Sequence, residues 1–175
     1  MQGLVHIYTG DGKGKTTAAV GLGIRAWGRG MKVLMVQFLK GIESGEHITA
    51  SKLGPTFTIN PGINLEKFTW NMNEDELFKA AAVQKEQFAY ALKESNSDSW
   101  DLLILDEIMA AISTGMVPLQ DVLDFIKSKP NRLEIVLTGR NVPDSLIEAA
   151  DYVSDIHEVK HPMKKGIIAR RGIED

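Results

Sequence analysis

Apolar positions in this chain fall into two rhythms. Short, nearly unbroken runs occur at Leu4-Val5-His6-Ile7-Tyr8, Val33-Leu34-Met35-Val36-Gln37-Phe38, Leu102-Leu103-Ile104-Leu105 and Glu134-Ile135-Val136-Leu137. Runs of this length, rich in β-branched and aliphatic residues, predict strands buried on both faces of a sheet. Between them apolar residues recur at helical spacing, over residues 18–24, 73–94, 108–113, 119–128 and 143–150. Residues 47–53 read as a short helix closed by Gly54-Pro55, and Phe57-Thr58-Ile59 as a short strand. Residues 152–159 alternate more and suit an outer strand. Strands alternating with helices predict an α/β fold, doubly wound around a mostly parallel sheet.

Punctuation sharpens this pattern. Asn73 caps a helix whose first turn carries Glu74, Asp75 and Glu76, suited to the positive end of the helix dipole. Gly28-Arg29-Gly30 stops the first helix, and Lys129-Pro130 stops a later one. The most telling junction follows the first strand: Thr9-Gly10-Asp11-Gly12-Lys13-Gly14-Lys15-Thr16-Thr17 leads directly into a helix. Strand, glycine-rich turn, Gly-Lys-Thr and helix is the phosphate-binding arrangement of nucleotide-binding proteins. Glycines let backbone N–H groups turn inward around a polyphosphate, and the helix N-terminus adds unpaired N–H groups and a positive dipole end. Gly10, Asp11, Gly12, Lys13, Gly14, Lys15, Thr16 and Thr17 are therefore the candidate residues for binding a nucleoside triphosphate such as ATP. Lys15 supplies a mobile charge and is a candidate catalytic residue, and the Thr16 hydroxyl can hold Mg2+. The usual first glycine of the pattern is replaced by Thr9, with Gly10 and Gly12 supplying the freedom instead.

Downstream, the run 102–105 ends in Asp106-Glu107, which would bring carboxylates beside the phosphate loop. Both are candidate magnesium ligands, directly or through water. Thr138-Gly139-Arg140 forms a polar exit from another strand, and all three features are expected at one end of the sheet. Lys40, in the loop after the second strand, is a phosphate contact or a solvated surface lysine, and position alone does not choose.

Composition narrows the class. The chain has 175 residues, 43% hydrophobic and 25% charged, matching one soluble domain over residues 1–175. A net charge of −3 argues against nucleic acid or a membrane surface as partner. The absence of cysteine removes disulfides, thiolate metal sites and iron–sulfur clusters. With no spanning run and no leader-like segment, a cytoplasmic location is the expectation. Fold and motif alone leave kinases, hydrolases, switches and non-enzymatic nucleotide-binding modules open.

The chain also resembles the ATP:corrinoid adenosyltransferases of the phosphate-loop class. The resemblance rests on residues 9–17, Val36-Gln37-Phe38-Leu39-Lys40-Gly41, Phe68-Thr69-Trp70, Leu105-Asp106-Glu107 and Leu137-Thr138-Gly139-Arg140-Asn141 with Pro143. It continues through Leu146-Ile147-Glu148-Ala149-Ala150-Asp151, Lys160-His161-Pro162 and Gly172-Ile173-Glu174. It implies a P-loop NTPase-like three-layer domain that transfers the 5′-deoxyadenosyl group of ATP to the Co(I) of a reduced corrinoid and releases triphosphate. ATP would lie in the reverse sense to ordinary phosphate-loop enzymes, exposing its 5′ carbon to attack.

Further expectations follow from the resemblance. Phe68 and Trp70 would be catalytic and corrinoid-binding, pressing on the ring where its lower ligand sits; core packing is the other reading of these aromatics. Arg140, Asn141, Lys160 and His161 are secondary candidates, and for His161 a structural role is equally open. Magnesium is the implied cofactor, a homodimer the implied assembly, and an external electron donor, such as a reduced flavoprotein, the implied partner. Two departures stand out. The family often carries an N-terminal helical extension, whereas this chain begins at its first strand, so that cover is expected to be short or absent. Many members also have Asn at the position of Asp11, whose carboxylate is expected to turn away from the triphosphate, toward solvent or a cation.

Overall fold

The computed structural model describes residues 2–39, 44–62 and 71–174. Six strands form one sheet: β1 (Val5–Thr9), β2 (Val33–Gln37), β3 (Phe57–Asn60), β4 (Leu102–Asp106), β5 (Glu134–Thr138) and β6 (Tyr152–Asp155). Their order is β3-β2-β4-β5-β1-β6, and every neighbouring pair is parallel. The helices are α1 (Lys15–Trp27), α2 (Gly45–Leu53), α3 (Glu74–Ser95), α4 (Ile108–Ser113), α5 (Leu119–Ser128) and α6 (Asp144–Ala149).

The two faces of the sheet explain the unbroken apolar runs. Alternate residues of the strands feed two separate cores. Leu34, Val36, Leu103, Leu105, Ile135 and Leu137 pack with Phe88 of α3, Ile108 of α4 and Phe125 of α5. Val33, Met35, Leu102, Ile104 and Val136 pack on the opposite face with Ala19 and Ala26 of α1 and Ala50 of α2. Helix, sheet and helix make three layers, and β2 and β4 are buried throughout.

Local signals act as expected. Asn73 accepts from the Glu76 N–H at 2.9 Å, and Glu76 reaches back to the Asn73 N–H at 2.9 Å, a reciprocal cap on α3. The outer strand differs from the sequence expectation in extent. It ends at Asp155, and all four of its residues are exposed. The reason is that the chain leaves the sheet to meet the phosphate loop: the Ile156 carbonyl accepts from the Gly12 N–H at 2.7 Å. Among the described residues no helix is long and apolar enough to cross a membrane.

Candidate functional site

The four adjacent strands β2, β4, β5 and β1 end at the same edge of the sheet. Each apolar run closes on a polar residue there: Gln37, Asp106, Thr138 and Thr9. The first three are fully buried, so each requires partners. Asp106 is the hub of the row, although Gln37 Oε1 has no protein partner among the described residues. Its carboxylate accepts from the Thr138 hydroxyl at 2.8 Å, the Thr16 hydroxyl at 2.9 Å and the Gln37 amide at 3.2 Å. Thr138 also accepts from the Glu107 N–H at 2.9 Å. That bond supports Glu107 in a left-handed conformation, φ 61°, from which the chain turns into α4.

The phosphate loop stands beside this row. Gly14 precedes α1 with φ 119°, and a Cβ there would meet nothing within 4 Å, so backbone conformation demands glycine at this position. Lys15 is buried, and its Nζ donates to the carbonyls of Gly10 and Gly12 at 2.8 Å each. Burial pushes its pKa below the ordinary lysine value, and Arg140 pushes the same way, with Glu107 and Asp11 opposing. The ammonium thus closes the loop from within.

Above the loop lies a cleft of about 1350 Å³. Residues 11–17, Glu107 and Arg140 line its polar floor. Val20 and Ile24 of α1 form one apolar side, and Met163, Ile167, Ile168 and Ile173 of the C-terminal segment form another. His161 lines the cleft, whereas Lys160 and Asn141 lie outside its lining. Phe68, Trp70 and Lys40 lie outside the described residues.

Asp11, expected to face solvent or a cation, also meets protein on the side of the chain that leaves β6. Its Oδ1 accepts from the Glu158 N–H at 3.1 Å, with His157 Nδ1 at 3.9 Å. The backbone bond, followed by the charges of His157 and Arg140, holds its carboxyl below the usual range. The C-terminal wall is the feature that sequence reasoning missed. Its signal is nonetheless present: Ile167, Ile168 and Ile173 are large apolar residues outside any helical or strand period.

The donors around Thr16 suit magnesium. The Thr16 hydroxyl and Glu107 line the cleft, and the Asp106 carboxylate lies buried behind them, 2.9 Å from that hydroxyl. Magnesium takes hard oxygen ligands, keeps several waters, and is completed by substrate phosphates, so few protein ligands are needed.

The family model for ATP:corrinoid adenosyltransferase BtuR/CobO/CobP matches residues 1–174. The chain belongs to this family. The corrinoid adenosyltransferase of Escherichia coli K12 is 34% identical over 174 residues, covering 99% of this chain and 86% of its own length. That of Pseudomonas aeruginosa is 35% identical over 176 residues, with 99% and 84% covered. Corrinoid adenosyltransferase CobA of Salmonella typhimurium is 33% identical over 175 residues, with 99% and 86% covered.

Proposed function

We propose that this protein transfers the 5′-deoxyadenosyl group of ATP to the Co(I) of a reduced corrinoid and releases inorganic triphosphate. The observation that carries the reading is the phosphate loop, with Lys15 closing it, beneath a large cleft in a chain matched by the family from residue 1 to 174. Cobalt, the nucleophile, belongs to the substrate. Its electron pair forms the Co–C bond at C5′, the C5′–O bond breaks, and the released pair leaves on triphosphate. No side-chain nucleophile is required. The protein's contribution is orientation and stabilisation of the leaving group.

In this reading the loop N–H groups, the N-terminus of α1 and Lys15 bind the triphosphate. Thr16, Asp106 and Glu107 hold Mg2+, which supplies further charge neutralisation when bound. Phe68 and Trp70 occupy the axial space of the corrinoid and exclude a ligand there. An external donor, in our proposal a reduced flavoprotein, supplies the electron that makes Co(I), and the working assembly is a homodimer.

The test is incubation with magnesium-ATP and chemically reduced cobalamin. Triphosphate should form in step with the spectrum of a cobalt–carbon bond. ADP in place of triphosphate would indicate attack at the γ-phosphate, and binding without turnover would indicate a non-catalytic module.

A further inference from the structure

The phosphate loop is tied to the chain beyond β6 by a short ladder. The Ile156 N–H donates to the Thr9 carbonyl at 2.9 Å, and its carbonyl accepts from the Gly12 N–H at 2.7 Å. Two residues on, the Glu158 N–H donates to Asp11 Oδ1 at 3.1 Å. A side chain here takes the place that a backbone carbonyl would hold if strand pairing continued. Beyond this bond the chain turns to form the outer wall of the cleft. Within that wall lie one 3-10 turn, Pro162–Lys165, and large apolar residues open to solvent: Met163 is 69% exposed and Ile168 82%.

The far end of the wall is fastened within itself. Glu174 is bound by Arg170, and its carboxyl is pulled down to about 2 by those hydrogen bonds, with Lys13 adding to the effect. The side chain of Glu158 is paired in turn with Lys164, inside the wall. A segment with so little burial of its own depends on such fastenings to hold one shape. The Asp11–Glu158 bond is the fastening at its root.

We propose that Asp11 is a positioning residue for the nucleotide: its carboxylate fixes the C-terminal wall through the Glu158 amide, so that ATP meets an assembled cleft. The inference rests on the reading of this cleft as the ATP site. It also explains how an acidic residue is accommodated on a triphosphate loop, since its acceptor oxygen is engaged on the side facing the wall. Loss of the bond adds the ordering of the wall to the cost of binding ATP.

The test compares Asp11→Ala with Asp11→Asn, which removes the charge but keeps an acceptor oxygen. Hydrogen exchange of the nucleotide-free protein reads the Glu158 amide directly. ATP titration and steady-state kinetics with cob(I)alamin read the consequence. Asp11→Ala should lose protection at Glu158 and through residues 158–174. It should raise the Kd and KM for ATP roughly three- to tenfold, the range of one ordinary hydrogen bond, with a smaller change in kcat. Asp11→Asn should recover most of the protection and most of the affinity. Wild-type exchange and affinity in Asp11→Ala would overturn the proposal, as would an Asn variant as impaired as the Ala variant. Exchange and ATP titration need no corrinoid. Failure of adenosyl transfer in the wild type would therefore count against the activity alone, and the role of Asp11 would still be decided by the other two measurements.

Discussion

Thr138→Val tests whether the buried polar row at the ends of the strands organises the site. Valine keeps the shape of threonine, so no cavity opens at a residue that is fully buried. Two bonds vanish: the one to Asp106 at 2.8 Å and the one from the Glu107 N–H at 2.9 Å. Asp106 retains Thr16 and Gln37, so its loss is that of one hydrogen bond to a carboxylate, about 1.5 kcal/mol. The Glu107 N–H loses its acceptor at about 1–3 kcal/mol, and it lies in a left-handed turn that this bond supports. Together the loss is about 3 kcal/mol, or roughly 6–12 °C in Tm for a chain of this size. Glu107 should also lose its fixed direction, lowering kcat/KM for ATP about tenfold, as a loss of roughly 1.4 kcal/mol in the transition state would. Thr138→Ser keeps the hydroxyl and should lose less than about 1.5 kcal/mol. Urea unfolding and turnover with cob(I)alamin measure both effects. A valine variant as stable and active as wild type would refute the reasoning, as would a serine variant as damaged as valine, because serine keeps the hydroxyl that makes both bonds.

Lys15→Ala should cut adenosyl transfer on the order of a hundredfold or more by removing the loop's charge on the leaving triphosphate, and near wild-type turnover at saturating ATP would exclude that role. Gly10→Ala drives a Cβ into the Ile156 carbonyl oxygen at a backbone φ of 103°, so ATP titration should show affinity lowered more than about tenfold, while unchanged binding would mean the loop can rearrange freely. Phe68→Ala and Trp70→Ala should cripple transfer from cob(II)alamin with a mild reductant and impair it far less when cob(I)alamin is supplied; equal losses in both assays would assign these aromatics to binding or packing.

Much of this architecture is legible in the sequence because buried parallel strands leave a strong trace. Four apolar runs mark the central strands, and Asn73 with Glu76 marks the start of α3. The phosphate loop is legible because glycine and lysine spacing encodes a backbone shape. The partners of Asp106 are less so. Gln37 and Thr138 lie 69 and 32 residues from it, and only sheet order makes them neighbours. The C-terminal wall leaves only aperiodic apolar residues as its trace, for a different reason. It lacks periodic burial, and tertiary contacts with the loop, through Asp11 and Gly12, set its course.

Thr9, in place of the usual first glycine, joins these two observations. It is the last residue of β1, with Asp155 of β6 opposite it in the register and its carbonyl bonded to Ile156. A β-branched residue suits that extended backbone, and no positive φ is needed there. The left-handed turn falls one residue later, at Gly10. At Gly10 and Gly12 a Cβ would strike the chain leaving β6, within 2.6 Å of the Ile156 carbonyl oxygen in both cases. At Gly14 space is open and conformation alone excludes other residues. The loop's glycines therefore answer two different demands. Gly14 shapes the entry to α1, where phosphate would bind, while Gly10 and Gly12 admit the neighbouring chain. The same close approach brings Glu158 within reach of Asp11, so the altered glycine spacing and the wall over the cleft have one structural cause.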